Sequence, residues 1–139
     1  MITAVDTSVL FDFLLGDPLF GVPSAKALRS ASGEGRLVAC APVWAELWAG
    51  IGTSTAGETP GEALRDLRIH FDPIDQETAE LAGRLWARHR ARGGGRRDRI
   101  VADFLIGAHA ASQADRLLTR DRGFYRDYFD TLVVMDPSG

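Results

Sequence analysis

Cysteine, lysine and long apolar runs are scarce in this 139-residue sequence, and each scarcity excludes a class of protein. Cys40 is the only cysteine, and its apolar surroundings predict a buried reduced thiol instead of a disulfide or a metal ligand. No apolar run approaches the roughly 20 residues that a membrane-spanning helix needs. A charge at Asp6 interrupts the apolar start that a secretory signal would need. We therefore expect a cytoplasmic protein without a membrane segment.

The overall charge gives no sign of a nucleic-acid partner, because the formal net charge is −3. With 45% hydrophobic residues and no low-complexity tract, the chain fits a single domain over residues 1–139.

Lys26 is the only lysine, and all the other Lys and Arg residues are arginine. One basic segment stands out, comprising Arg84, Arg88, Arg90, Arg92, Arg96, Arg97 and Arg99. It is either a solvated helix face or a surface that contacts phosphates.

Short apolar runs alternate with helical patterns along the chain. The runs lie at 2–5, 37–41, 117–118 and 132–135, with a brief edge strand predicted at 71–74. Thr7 or Ser8 is expected to cap the first helix, and Asp75 a long helix that ends at the glycines from Gly93. This alternation predicts a three-layer α/β/α fold with a short central parallel sheet flanked by helices on both faces.

Four acidic residues share an unusual setting. Asp6 and Asp121 each follow an apolar strand, whereas Glu46 and Asp103 lie in helical segments that are otherwise apolar. Each alone could be a cap or a rim residue, but four carboxylates near the carboxyl ends of strands would repel one another without a hard divalent cation. The pattern therefore favours a Mg²⁺ or Mn²⁺ site. Since no serine or cysteine nucleophile is evident, such a site suits phosphodiester hydrolysis.

The segments around these acids resemble the four acidic motifs of the PIN-domain family, and most closely those of VapC-type toxins. They read VDTSVL, PVWAELWAG, ADFLIGAHA and LLTRD, in the family's order and across essentially the whole chain. The resemblance implies a Mg²⁺- or Mn²⁺-dependent endoribonuclease that is the toxin of a type II toxin–antitoxin pair. It also implies a VapB-type antitoxin, a homodimer and a higher assembly with that antitoxin.

The resemblance assigns roles residue by residue. Asp6, Asp103 and Asp121 bind the cation, and Glu46 binds it directly or through water. The hydroxyls of Thr7 or Ser8, and of Thr119, orient a carboxylate or a water. Apart from the resemblance, the basic segment offers Arg97 or Arg99 as a candidate contact for the phosphates of the RNA. Asp98 is a possible further acid, although a helix cap is enough to explain it.

Several alternatives stay open at this stage. The number of metal ions is undecided, because Arg122-Gly123-Phe124 follows Asp121 where the family sometimes has another acid. The four acids could also be inherited by a catalytically silent PIN-like RNA-binding module. A haloacid-dehalogenase-type phosphatase would need aspartate in place of Ser8, and a receiver domain would need a late lysine.

The three histidines are poor candidates for ligands. His89 and His109 lie at apolar positions of predicted helices, where a partly buried imidazole with a hydrogen-bond partner is the commoner outcome, and His70 abuts a predicted strand. Trp44 and Trp48 are either core residues or part of an exposed groove for an antitoxin segment.

Overall fold

The computed structural model of the protein describes residues 1–51, 59–93 and 99–138. Arg96, Arg97 and Asp98, which were singled out above, lie outside these ranges.

Five parallel strands form one sheet with the order β3-β2-β1-β4-β5. The strands are β1 (Ile2–Val5), β2 (Arg36–Ala39), β3 (Ile69–Phe71), β4 (Arg116–Leu118) and β5 (Val134–Met135). The central strands are almost fully buried, as expected for strands covered on both faces. Strand β3 lies earlier than the predicted 71–74, because Pro73 has no N–H with which to continue a ladder.

Seven helices connect and cover the strands in the described ranges. They are α1 (Thr7–Leu14), α2 (Gly21–Glu34), α3 (Ala41–Ile51), α4 (Pro60–Asp66), α5 (Gln76–Gly93), α6 (Val101–Gln113) and α7 (Arg122–Tyr128). Helix α1 packs against α2 and α3, and α5 packs along α6. The predicted three-layer α/β/α class is confirmed. None of these helices is both long and apolar enough to cross a bilayer.

Two helix starts show how local chemistry sets the boundaries. Asp75 caps α5 as predicted, since its Oδ1 accepts the N–H of Thr78 at 2.8 Å. The expectation that Thr7 or Ser8 caps α1 is wrong. Asp6 occupies that position, and its Oδ1 accepts the N–H of Thr7 at 2.8 Å.

The isolated thiol and two histidines belong to the packed interior. Cys40 is a buried free thiol, as predicted, and burial raises its pKa to about 12. His109 is almost fully buried, with Nε2 2.7 Å from Oδ2 of Asp72. His89 lies 2.6 Å from the hydroxyl of Tyr128 through Nδ1. Both histidines therefore bridge elements of the fold, as their apolar sequence context suggests.

The order of the strands indicates which edge of the sheet is suited to binding a ligand. From β1 the chain builds outward through β2 and β3 on one side, and through β4 and β5 on the other. The carboxyl ends of β1 and β4 thus flank the point where the strand order reverses, which is where open parallel sheets bind ligands.

Candidate active site

Strands β1 and β4 are parallel neighbours in the sheet and end at the same edge. Val5 at the end of β1 pairs with Leu118 at the end of β4. Asp6 follows β1 directly, and its N–H donates to the carbonyl of Leu118 at 3.0 Å. Thr119 follows β4 directly. Residues that are far apart in the sequence are therefore fixed next to each other by strand pairing.

Asp6 is the most buried of the four candidate acids, with 7% of its surface exposed. Its Oδ1 is taken by the cap of α1, and its Oδ2 accepts the hydroxyl of Thr119 at 2.6 Å. The oxygen of that hydroxyl also accepts the N–H of Asp121 at 3.0 Å. One threonine hydroxyl thus connects Asp6 with the backbone of Asp121.

Glu46 reaches the same edge from α3. Its Oε1 accepts the hydroxyl of Thr7 at 2.7 Å, and Thr7 itself is buried. The predicted role of Thr7, orienting a carboxylate, therefore has a definite partner in Glu46. The hydroxyl of Ser8, the other residue considered for that role, is buried without a hydrogen-bond partner among the described residues.

Asp103 lies in the first turn of α6 and is partly buried. Its Oδ2 accepts the N–H of Ile100 at 3.0 Å, which satisfies a donor at the start of the helix. One turn later, a Cβ on Gly107 would come within 2.3 Å of the ring of Phe129. Glycine at this position lets α6 approach the segment that follows α7.

Asp6 titrates in an environment that disfavours its charge. Burial, with smaller contributions from the charges of Glu46 and Asp103, raises the pKa of Asp6 from 3.8 to about 6. The hydrogen bonds from Thr119 and Thr7 oppose this rise. The ionised form of Asp6 is therefore disfavoured by its burial and by the two neighbouring carboxylates.

Asp121 has a different environment, because an arginine pairs with it. Two nitrogens of Arg99 bind its two oxygens, Nη1 to Oδ2 and Nη2 to Oδ1, the latter at 3.2 Å. The guanidinium also lies 4.2 Å from the centroid of the Phe124 ring. Arg99, predicted as a phosphate contact, is thus held at the candidate site by a carboxylate.

The four acids carry the oxygen ligands that a hard cation prefers, but their side chains are not arranged as a closed metal-binding cluster. Within the described ranges, no three or more His, Cys, Asp or Glu side chains are arranged to hold a metal ion. Asp121 is engaged by Arg99 and Glu46 by Thr7. Carboxylate oxygens are nevertheless the ligands that Mg²⁺ and Mn²⁺ prefer, and crowding around Asp6 is what a cation would relieve.

A half-buried ion pair beside the site was not predicted from the sequence. Asp12 on α1 is 4% exposed and binds Arg120 through two contacts, one of them 3.0 Å from Nη2 to Oδ1. Ser24 donates to the same carboxylate at 3.2 Å. Arg120 lies between Thr119 and Asp121 in the sequence, so this pair anchors the loop that carries both. Asp12 also lies in an apolar helical segment, the same signal that drew attention to Glu46 and Asp103.

Tyr125 is a second neighbour that the sequence did not indicate. It is 1% exposed, and burial together with the charges of Asp6, Asp103 and Asp121 raises the pKa of its phenol. The phenol is therefore neutral at any physiological pH. It lies on α7, a seven-residue helix that the apolar pattern did not predict, so no sequence signal located it near the acids.

An exposed aromatic cluster, formed by Trp44, Trp48 and Phe71, lies on and beside α3. The rings of Trp44 and Trp48 stack with centroids 5.9 Å apart, and Phe71 meets Trp44 edge-on at 5.2 Å. Trp48 is 44% exposed and Phe71 is 47% exposed. Trp48 is therefore not a simple core residue. Glu46 lies about 200° around the helix from Trp44, so the cluster and the carboxylate are on different sides of α3.

Comparison with known proteins gives a consistent picture of the fold. The PIN domain family model matches residues 3–129. No curated protein matches the chain in sequence. Among solved structures, FitAcB from Neisseria gonorrhoeae is 26% identical with a TM-score of 0.68, and the match covers 99% of this chain and 98% of that one.

Two further structures are similar over nearly the whole chain at lower identity. VapBC2 from Rickettsia felis, solved with a fragment of promoter DNA, is 19% identical with a TM-score of 0.71 and covers 98% of both chains. VapBC-1 from nontypeable Haemophilus influenzae is 19% identical with a TM-score of 0.71 and covers 100% of both chains. These two similarities concern the fold.

Proposed function

Because the chain belongs to the PIN domain family, we propose that it is a metal-dependent endoribonuclease, the toxin of a toxin–antitoxin pair that a VapB-type antitoxin holds inactive. In this proposal residues 1–139 form a single PIN domain that acts in the cytoplasm. The neighbours solved as VapBC and FitAcB support such a partner. A homodimer and a higher assembly with the antitoxin are part of the proposal on the family resemblance alone.

One observation carries the proposal, namely the convergence of the acids at the carboxyl ends of β1 and β4. Thr119 links Asp6 to the backbone of Asp121, and Glu46 and Asp103 both act on the ionisation of Asp6. A cluster of this kind costs stability without a compensating positive charge. This cost argues for a functional role of the acidic cluster and against a purely structural one.

We infer that Mg²⁺ or Mn²⁺ is held by Asp6, Asp103 and Asp121, with Glu46 bound directly or through water. When bound, the cation supplies Lewis acidity, which makes water a nucleophile near neutral pH and stabilises charge on phosphodiester oxygens. With water as the nucleophile, the RNA products carry 5′-phosphate and 3′-hydroxyl ends. Attack by the 2′-hydroxyl would instead leave a cyclic phosphate.

The chain's own groups supply positioning. Thr119 holds Asp6 in one orientation, and Thr7 holds one oxygen of Glu46 and leaves the other available to a water. Because the pKa of Asp6 is about 6, this carboxylate is largely ionised at neutral pH. Glu46, which is partly exposed, is suited to accept a proton from the attacking water.

The antitoxin is proposed to contact the exposed aromatic cluster and to place a basic side chain among the carboxylates. The aromatic rings offer an apolar surface of the kind that an amphipathic segment covers. Since the cluster and Glu46 lie on different sides of α3, one segment would have to pass around this helix to do both.

Cleavage of a structured RNA by the purified protein tests the proposal directly. Activity is expected with Mg²⁺ or Mn²⁺, and none with excess chelator or in Asp6→Asn, whose circular dichroism spectrum should match the wild type. Persistent cleavage with chelator or in Asp6→Asn would overturn the metal mechanism. RNA binding without cleavage under all conditions would instead identify a catalytically silent RNA-binding module.

A further inference from the structure

Arg99 and Asp121 form a charged pair within the candidate site. Both oxygens of Asp121 face the guanidinium, which also stacks on Phe124 with 4.2 Å between Cζ and the ring centroid. The other contacts of the candidate acids are with neutral donors, such as the hydroxyls of Thr119 and Thr7. Among the described residues, Asp121 alone of the four acids is in an ion pair.

A guanidinium and a divalent cation cannot share this carboxylate without penalty. A bidentate arginine occupies one lone pair on each oxygen, so a cation bound to the remaining lone pairs would lie a few ångströms from the guanidinium charge. Two positive charges at that distance repel each other in a partly buried site. Binding of the cation to Asp121 is therefore opposed for as long as Arg99 stays in the observed geometry.

We propose that Arg99 is a built-in competitor for the divalent cation, which has to displace this guanidinium from Asp121 in order to bind. The inference rests on the proposed function, because it concerns the same metal site. Displacement releases the guanidinium of Arg99 from Asp121 beside the reaction centre, where it can contact the phosphates of the RNA. Cation binding thus precedes the use of Arg99 on the substrate.

The geometry makes this exchange feasible. The side chains of Arg99 and Asp121 are 25% and 40% exposed, so water can solvate both charges when the pair opens. The face of the Phe124 ring holds the guanidinium by a cation–π contact that does not involve Asp121. Arg99 can therefore leave the carboxylate without leaving the site.

Direct titration of the RNA-free protein with Mn²⁺ by calorimetry tests the inference. Arg99→Gln should bind Mn²⁺ about three- to tenfold more tightly than the matched control Arg122→Gln. The cation then no longer has to break the Arg99–Asp121 ion pair, and the gain is modest because that pair is partly exposed. Arg122 is the right control because it follows Asp121 directly, is 52% exposed and is paired instead with Asp136 at 3.6 Å. Both variants lose one positive charge near the acids, but only one loses the contact with Asp121.

Arg99→Lys provides a second test that preserves the charge. Lysine cannot form the two-pronged contact, so its Mn²⁺ affinity should lie between those of the wild type and Arg99→Gln. If Arg99→Gln does not fold, the Mn²⁺ affinity of Arg99→Lys alone tests the inference. An affinity of Arg99→Lys equal to that of the wild type overturns it. Arg99→Gln binding no more tightly than Arg122→Gln overturns it as well. Failure of every protein, including the wild type, to bind Mn²⁺ overturns the proposed metal site itself.

Discussion

The hydroxyl of Thr119 donates a 2.6 Å hydrogen bond to Asp6, a residue 113 positions earlier in the chain. The same oxygen accepts the N–H of Asp121 at 3.0 Å. Thr119 therefore aligns the two aspartates that follow the central strands, although it is not itself a candidate ligand.

We expect Thr119→Val, which keeps the shape but removes the hydroxyl, to weaken metal binding or activity about 10- to 100-fold. It should also destabilise the protein by about 1–3 kcal/mol, because the buried Asp6 loses a donor. Thr119→Ser retains the hydroxyl and should recover most of both losses. Cleavage rates and thermal melts of the three proteins measure these effects. A larger defect in Thr119→Ser than in Thr119→Val would show that packing matters and the hydroxyl does not.

The metal-free protein should lose stability as the pH rises through the range from about 4 to about 6. Folding raises the pKa of Asp6 from 3.8 to about 6, so in that range the folded state binds more protons than the unfolded state. The contribution is present below pH 4, is lost by about pH 6 and amounts to about 3 kcal/mol.

Chemical denaturation with chelator across this range, for the wild type and Asp6→Asn, isolates the effect of Asp6. The difference between the two free energies of unfolding cancels most other titrating groups. A difference that does not change with pH would show that Asp6 keeps an ordinary pKa.

Asp103→Asn should stabilise the metal-free protein by about 1 kcal/mol at neutral pH, as is common when a charge is removed from a crowded functional site. The asparagine oxygen can still accept the N–H of Ile100, so this hydrogen bond at the start of α6 is kept. A divalent cation at 100 times its dissociation constant should stabilise the wild type by about 2.7 kcal/mol and the variant much less. Melts with and without Mn²⁺ at matched ionic strength measure both effects. Destabilisation of the metal-free variant, together with equal shifts from Mn²⁺, would make Asp103 a purely structural acceptor.

Trp48→Glu should weaken binding of the antitoxin more than it weakens folding, because the indole is 44% exposed. Val133→Glu places the same charge at another exposed apolar side chain, 57% exposed on the approach to β5, and serves as the control. Co-expression with the antitoxin, pull-down and thermal melts give the comparison. If Trp48→Glu loses stability and binding in parallel, Trp48 acts in packing.

The parallel sheet and the four acids were predictable because they depend on local patterns. Short apolar strands followed by acids are visible in sequence, as at Asp6 and Asp121, and the PIN-like motifs placed Glu46 and Asp103 with them. Partners fixed by tertiary packing were not predictable. Nothing in the sequence says that Arg99 pairs with Asp121 or that Arg120 pairs with Asp12, since each pair depends on how separate segments meet.

Helix α7 shows a related limit. Seven residues give too few turns for a helical period to be recognised, and its N-terminal residue follows an acid already assigned to the site. Tyr125 and Phe124 could therefore not be placed against the acids beforehand. The start of α1 shows another limit. Asp6, Thr7 and Ser8 are consecutive residues that can all cap a helix, and the sequence does not say which of them does.

The pairing of β1 with β4 also bears on how the protein is made. Val5 and Leu118 are neighbours in the sheet, so the acids at the ends of these strands cannot meet before the later strand exists. Closing such a long loop is slow compared with forming the helices between them. A chain still emerging from the ribosome therefore lacks an assembled site until β4 has been synthesised. Under the proposed function, a partly synthesised toxin is harmless to the messenger RNA that encodes it.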